Sequence, residues 1–274
     1  MVEKAWVDLT HRFSRWVGWV ADTPVPTALR HPLWSGVGRA LGVDAGCVKD
    51  DLASFETFGS FFGRALEDGA RPVAEEAVAV APCDGVCVAA GSLSAEDATV
   101  RVKGHTYSVE ALLGIGPADV GEGTLHYWVI YLAPKDYHRV HAPLTGSLRA
   151  IRHMPGSLFP VNALGVRLVP ALFTRNERVI FSGNQANGCP WAMAMVGALG
   201  VGSIAVTKES PAQPAGSTGD EPSTTTRESE IHIGSEIAAF KLGSTVILGV
   251  VTKAPLSRAV QVGSVCRMGE PLFA

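Results

Sequence analysis

Residues Phe240 to Ile247 read FKLGSTVI. The run is apolar and β-branched enough for a buried strand, yet Gly243 and Ser244 interrupt it at its centre. Glycine inside a strand weakens packing and often marks a bulge or a close approach of backbone. The backbone here is either kinked or employed.

The surroundings have the same texture. After Pro72 come short β-rich runs at Ala77–Val80, Val86–Ala90, Thr99–Val102, Tyr127–Leu132, Gly146–Arg152, Arg178–Phe181, Ala192–Val206, Ile231–Phe240 and Val246–Val251. Gly, Pro and Asn separate them, which predicts a mainly antiparallel β body and an α+β class. Trp191 to Val206 is the one stretch with the hydropathy of a membrane span. It is short for that and rich in Gly and Ala, and reads better as two buried strands.

The N-terminal third is helical. Trp6, Leu9, Phe13, Trp16 and Val20 recur at three- and four-residue steps, predicting an amphipathic helix from Ala5 to about Val20. Lys4, Asp8, Arg12 and Arg15 occupy its other face. Further helical segments are expected at His31–Val43 and Ser54–Leu66. The expected division is a helical region over 1–72 and a β-rich body over 73–274. Glu209 to Glu228, dense in Pro, Ser, Thr and Gly, reads as a disordered insertion within that body.

With 274 residues, 47% hydrophobic and 18% charged, the chain can bury a substantial core. A net charge of −3 gives no electrostatic basis for a nucleic-acid partner. Five scattered cysteines suggest neither a disulfide framework nor a zinc ribbon. The first residues lack the features of a secretory signal.

Three polar clusters adjoin apolar runs: Asp84 in APCDG, His138 and His141 in YLAPKDYHRVHAP, and Ser244 after Gly243. Two imidazoles with Asp84 or His153 suggest a zinc site. Against zinc, H-E-x-x-H is absent, and Pro134 and Pro143 disfavour a helix through the cluster; no metal is expected. Asp, His and Ser together also allow an activated serine. The hydrolase elbow G-x-S-x-G is missing, however. The same groups permit an internal reaction, attack by the Ser244 hydroxyl on the carbonyl of Gly243. An ester would form and β-elimination would cut the chain; the resulting dehydroalanine would hydrolyse to a pyruvoyl group. Glycine before the serine leaves the approach open and tolerates strain.

Six stretches in order carry a family resemblance: TFGSFFGRALEDGARPV (Thr57–Val73), PCDG (Pro82–Gly85), YLAPKDYHRVHAP (Tyr131–Pro143), GSLFPVN (Gly156–Asn162), RNERV (Arg175–Val179) and FKLGSTVI. Over nearly its whole length the chain resembles the membrane-associated bacterial and mitochondrial phosphatidylserine decarboxylases. The resemblance implies self-cleavage into a large chain, 1–243, and a small chain, 244–274, that stay associated. It assigns Asp84, His141 and Ser244 to processing, with His141 as base and Asp84 orienting the imidazole. His138 is assigned to proton transfer in decarboxylation, and Phe159 and Asn162 to the substrate pocket. The implied cofactor is a pyruvoyl group made from Ser244, which forms a Schiff base with the substrate amine, so that no external cofactor is needed. Expected partners are phosphatidylserine and a bilayer surface, with homodimerisation left open. Trp6, Phe13 and Trp16 are expected to insert peripherally into a bacterial inner or mitochondrial inner membrane. Two other readings are a pyruvoyl decarboxylase of a soluble amino acid and a silent lipid-binding homologue. Lys135 and Ala133 depart from the family's usual arginine and serine.

Overall fold

In a computed structural model, the described residues are 2–97, 99–102, 104–199, 204–206, 222–240, 244–254 and 256–274; for 2–7, 9, 163, 227 and 244 only the backbone is described. Three helices open the chain: α1 (Val2–Ala21), α2 (Thr27–Leu41) and α3 (Phe58–Phe62). Helix α2 ends on Gly42, whose left-handed backbone closes the last turn. Thr57 and Ser60 form a reciprocal cap at the start of α3. Trp34, Val48, Phe55 and Phe61 form a small apolar core of their own in this region.

Thirteen strands follow: β1 (Gly85–Leu93), β2 (Thr99–Val102), β3 (His105–Ser108), β4 (Thr124–Leu132), β5 (Arg139–His141), β6 (Gly146–Met154), β7 (Arg178–Gln185), β8 (Pro190–Val196), β9 (Ile204–Val206), β10 (Ser223–Ile231), β11 (Glu236–Phe240), β12 (Ser244–Thr252) and β13 (Val265–Cys266). Eight make one antiparallel sheet in the order β10-β6-β7-β8-β12-β4-β1-β13. A second sheet has the order β5-β11-β9, and β2-β3 is a hairpin. Strands β4, β8 and β12 lie at the centre of the large sheet, which explains their unbroken apolar runs: both faces are covered. A short helix at Val109–Leu113 packs on one face, and Gly249 makes room for it, since a Cβ there would meet Leu113 at 2.8 Å.

The interruption in FKLGSTVI is a change of sheet. Phe240 ends β11 in the smaller sheet and Ser244 begins β12 in the larger. Residues 241–243, including Gly243, lie outside the described residues.

The α+β class and the helical N-terminal region are as expected, and Trp191–Val206 does supply two strands, β8 and β9. Four local expectations need correction. Ala77–Val80 is not a strand; Val80 makes only an isolated bridge to Pro271, and the segment's amides bond singly to different partners. The Ser54–Leu66 helix is reduced to a 3-10 turn at Leu52–Ser54 and the five residues of α3, ended by Gly63. Ile231–Phe240 divides at a turn over 232–235 into two strands of different sheets. Finally, Ser223–Glu228, placed in the disordered insertion, belongs to edge strand β10, where β-branched threonines pair with β6 while facing solvent. The rest of that insertion, through residue 221, lies outside the described residues.

Candidate active site

The segments that carry the polar clusters run side by side. The Val80 amide donates to the Pro143 carbonyl at 2.7 Å and the His141 amide to that of Pro82 at 2.9 Å. This joins the strand β5 segment to the turn before β1. At that turn Gly85 comes close to β4: a Cβ there would lie 2.5 Å from the Tyr131 carbonyl oxygen. Only glycine lets Asp84 sit at this edge.

Asp84 is buried and engaged. Arg71 grips its carboxylate with Nε at 2.9 and 3.1 Å and Nη2 at 2.5 Å, and the Met268 amide donates to it at 2.9 Å. A bidentate guanidinium pair of this kind fixes position as well as charge. The remaining Arg71 nitrogen, Nη1, donates to the Ala70 carbonyl.

His141 bonds elsewhere. Its Nδ1–H donates to the Gly234 carbonyl at 2.8 Å, and its Nε2 accepts from the Tyr137 hydroxyl at 3.1 Å. Gly234 reaches this position in a left-handed turn, φ 80°, where a Cβ would stand 2.7 Å from Val73. Burial lowers the pKa of His141, and the ring is neutral at pH 7.

His138 has no exposed surface. Its ring packs on Phe62, centroids 4.0 Å apart, and its Nδ1–H donates to the Asp136 carbonyl at 2.8 Å. Its Nε2 is buried and has no partner among the described residues. Burial pushes its pKa down to about 3, so Nε2 presents a lone pair. The loop around it is held by Arg64, which donates to the Lys135 and Asp136 carbonyls, and by Asp136, whose carboxylate accepts from the Ala133 amide. Arg139 ties β5 to Gly63 and to Glu236.

The chain on either side of the Gly243–Ser244 link attaches at the two ends of this loop, to His138 and to Leu132, the last residue of β4. The Phe240 amide donates to the His138 carbonyl at 2.9 Å, and Ser244 pairs with Leu132 in the β12–β4 register. Next to Ser244, the Thr245 hydroxyl is buried and has no partner among the described residues.

An apolar cavity of about 420 Å³ opens beside the loop, with Phe13, Leu41, Phe62, Tyr131, Asn162 and Leu199 among its walls. Phe62 is thus shared between the cavity and His138. Asn162 also caps the helix Ala163–Leu168, accepting from the Gly165 amide. Phe159 is not among the lining residues; it is half-buried against the core with the Arg175 guanidinium 5.2 Å above its ring. A second, polar cavity of about 200 Å³ touches Arg64, Arg71, Asp84, Lys135, Tyr137 and Arg267. Among the described residues no three His, Cys, Asp or Glu side chains gather as a metal would need. His153 instead pairs with Glu177 at 2.9 Å.

These features sit within the region matched by a family model. The phosphatidylserine decarboxylase model covers residues 58–274. The chain belongs to the phosphatidylserine decarboxylase family. Its relatives include phosphatidylserine decarboxylase proenzymes from three bacteria. The one from Polaromonas naphthalenivorans is 40% identical over 238 residues, 82% of this chain and 79% of that one. The one from Pseudomonas aeruginosa is 37% identical over 274 residues, 96% and 92% of the two chains. The one from Acidovorax ebreus is 42% identical over 214 residues, 76% and 73%.

Sequence reasoning placed Asp84, His138 and His141 in neighbouring clusters and missed what holds them. Arg64 and Arg71 lie in the quoted Thr57–Val73 stretch and Tyr137 in the histidine motif; unpaired cations beside an acid-bearing motif were the available signal. Gly234 left no signal, because its contribution is a backbone carbonyl.

Proposed function

We propose that this family member is a self-processing decarboxylase that converts phosphatidylserine to phosphatidylethanolamine and CO2 at a bilayer surface. The observation that carries the reading is that the chain is held on both sides of the Gly243–Ser244 link, at Phe240 to His138 and at Ser244 to Leu132, the two ends of one loop. In processing, the Ser244 hydroxyl attacks the Gly243 carbonyl carbon and its proton passes to Nε2 of His141. The peptide becomes an ester. The C–N bond breaks as that proton passes on to the departing amine. Loss of the Ser244 α-proton then breaks the ester Cβ–O bond, leaving Gly243 as the carboxylate end of the large chain, still packed against the small one, and a dehydroalanine that takes up water and releases ammonia to give the ketone. Asp84, held by Arg71, supplies negative charge that favours the imidazolium.

A pyruvoyl group formed from Ser244 would supply a ketone that takes up the substrate amine and accepts the electron pair released with CO2. The residues present fit such a group: Nε2 of His138 is a buried lone pair with no partner among the described residues, on the loop that follows Leu132, the residue paired with Ser244. The substrate ammonium must lose a proton to become a nucleophile. His138 Nε2 accepts it and returns it to the α-carbon after CO2 leaves. Phe62 and Phe13 exclude water from this side, and the apolar cavity suits the acyl portion of the lipid beside Asn162.

Peripheral attachment fits helix α1. Phe13, Trp16 and Trp19 are exposed, and among the described residues no helix is long and apolar enough to cross a membrane. The side chain of Trp6 lies outside the described residues.

The test is CO2 release from vesicles containing phosphatidylserine. Wild-type protein is expected to release it, and His138→Ala to be cut at least in part yet turn over little. Normal turnover by His138→Ala would remove its role, and activity on free serine but not on vesicles would favour a soluble substrate.

A further inference from the structure

His141 is gripped at both ring nitrogens, and neither bond is to Asp84. A carbonyl oxygen only accepts, so the contact with Gly234 places the ring proton on Nδ1. The neutral ring therefore carries its lone pair on Nε2, and the Tyr137 hydroxyl donates to it at 3.1 Å. Tyr137 is buried, with its ring centroid 5.6 Å from the imidazole. Burial pushes its phenol up to about 12, so it stays a donor at any pH near neutrality. Meanwhile the Asp84 carboxylate is occupied by Arg71 and the Met268 amide.

In an Asp/His/Ser arrangement the carboxylate has two tasks, fixing the tautomer and orienting the ring, besides contributing charge. Here the first two tasks have other holders. We propose that Tyr137 relays the proton in self-cleavage: with the Gly234 carbonyl opposite, its hydroxyl fixes the plane of His141 and, holding the single lone pair of Nε2, passes its own proton to that nitrogen as its oxygen takes the serine's. Asp84 then acts by charge alone. The inference rests on His141 being the processing base.

Two measurements test it. In a cell-free translation chase followed on denaturing gels, Tyr137→Phe should slow self-cleavage about tenfold or more, the scale of loss when a reacting group is left misaligned. In uncut Ser244→Ala protein labelled with ¹⁵N-histidine, His141 should be the Nδ1–H tautomer with a hydrogen-bonded Nε2. Adding Tyr137→Phe should move the Nε2 signal to that of a lone pair without a donor. Cleavage of Tyr137→Phe at the wild-type rate overturns the proposal, as does an Nε2–H tautomer in the Ser244→Ala protein. The tautomer measurement keeps Tyr137 in place, so it decides the matter even if Tyr137→Phe fails to fold. His141→Ala separates the two levels. If that variant cuts normally, the base assignment itself fails; if it stays uncut while Tyr137→Phe cuts normally, only the role of Tyr137 falls.

Discussion

The central sheet and helix α1 treat large apolar side chains in opposite ways. In β4, β8 and β12, Trp128, Trp191 and Leu248 have no exposed surface. In α1, among the described side chains, Thr10, Ser14 and the terminal Ala21 are buried, while Phe13, Trp16 and Trp19 are 46%, 59% and 70% exposed. The side that docks carries the uncharged Thr10, His11 and Ser14, while Asp8, Arg12 and Arg15 stay exposed. His11 Nε2–H donates to the Gly156 carbonyl at 2.7 Å, and the Thr10 hydroxyl accepts from the Leu158 amide at 3.3 Å. Hydrophobic burial thus explains the sheet but not the orientation of α1, whose aromatic side is left for another apolar phase.

The difference can be broken at its strongest point first. Trp191→Ala removes a fully buried indole whose N–H donates to the Ser147 carbonyl, and should cost about 3–5 kcal/mol in denaturant unfolding. A loss under 1 kcal/mol would mean the sheet is not the stabilising core. Next comes acid sensitivity, which belongs to the body. Folded His138 titrates near pH 3, whereas in the unfolded chain histidine titrates near 6.5. Between these values the unfolded state binds a proton that the folded state does not, so stability falls as pH falls through that window. From pH 7 to pH 5 the share due to His138 should be about 2 kcal/mol. Burial lowers His141 and His126 too and adds loss in the same direction, so His138→Asn should make the slope shallower by about that amount, and an unchanged slope would place the acid sensitivity elsewhere. The smallest effect on stability is expected at the helix. Trp16→Ala with Trp19→Ala should change unfolding free energy by no more than about 0.5 kcal/mol while reducing retention on phospholipid vesicles. Full retention would mean the exposed aromatics meet something other than lipid.

What the sequence disclosed follows the same division. Continuous β-branched runs marked the central strands because both faces are buried, and a 3.6-residue period marked α1. That period locates a helix without saying which side the protein takes; here the side was settled by hydrogen bonds from Thr10 and His11 to a loop almost 150 residues away. Edge strand β10 was hidden because an edge needs one partner and little burial, so STTTRE had the composition of a loop. At the site, Asp84, His138 and His141 were legible as residue types next to strands. Their bonding was not: Asp84 is held by Arg71, thirteen residues before it, and His141 by Tyr137, four residues before it, and by the distant Gly234 carbonyl, choices that residue type and spacing alone do not make.

The central claim is that the chain is severed between Gly243 and Ser244 by the Ser244 hydroxyl. Intact-mass measurement of freshly purified protein under denaturing conditions tests it most directly. It should give two chains, residues 1–243 and 244–274, the smaller with a blocked N-terminus that reacts with a hydrazide, and Ser244→Ala should remain whole. A single 28.8 kDa species from wild-type protein, or cleavage at the same bond in Ser244→Ala, would contradict it.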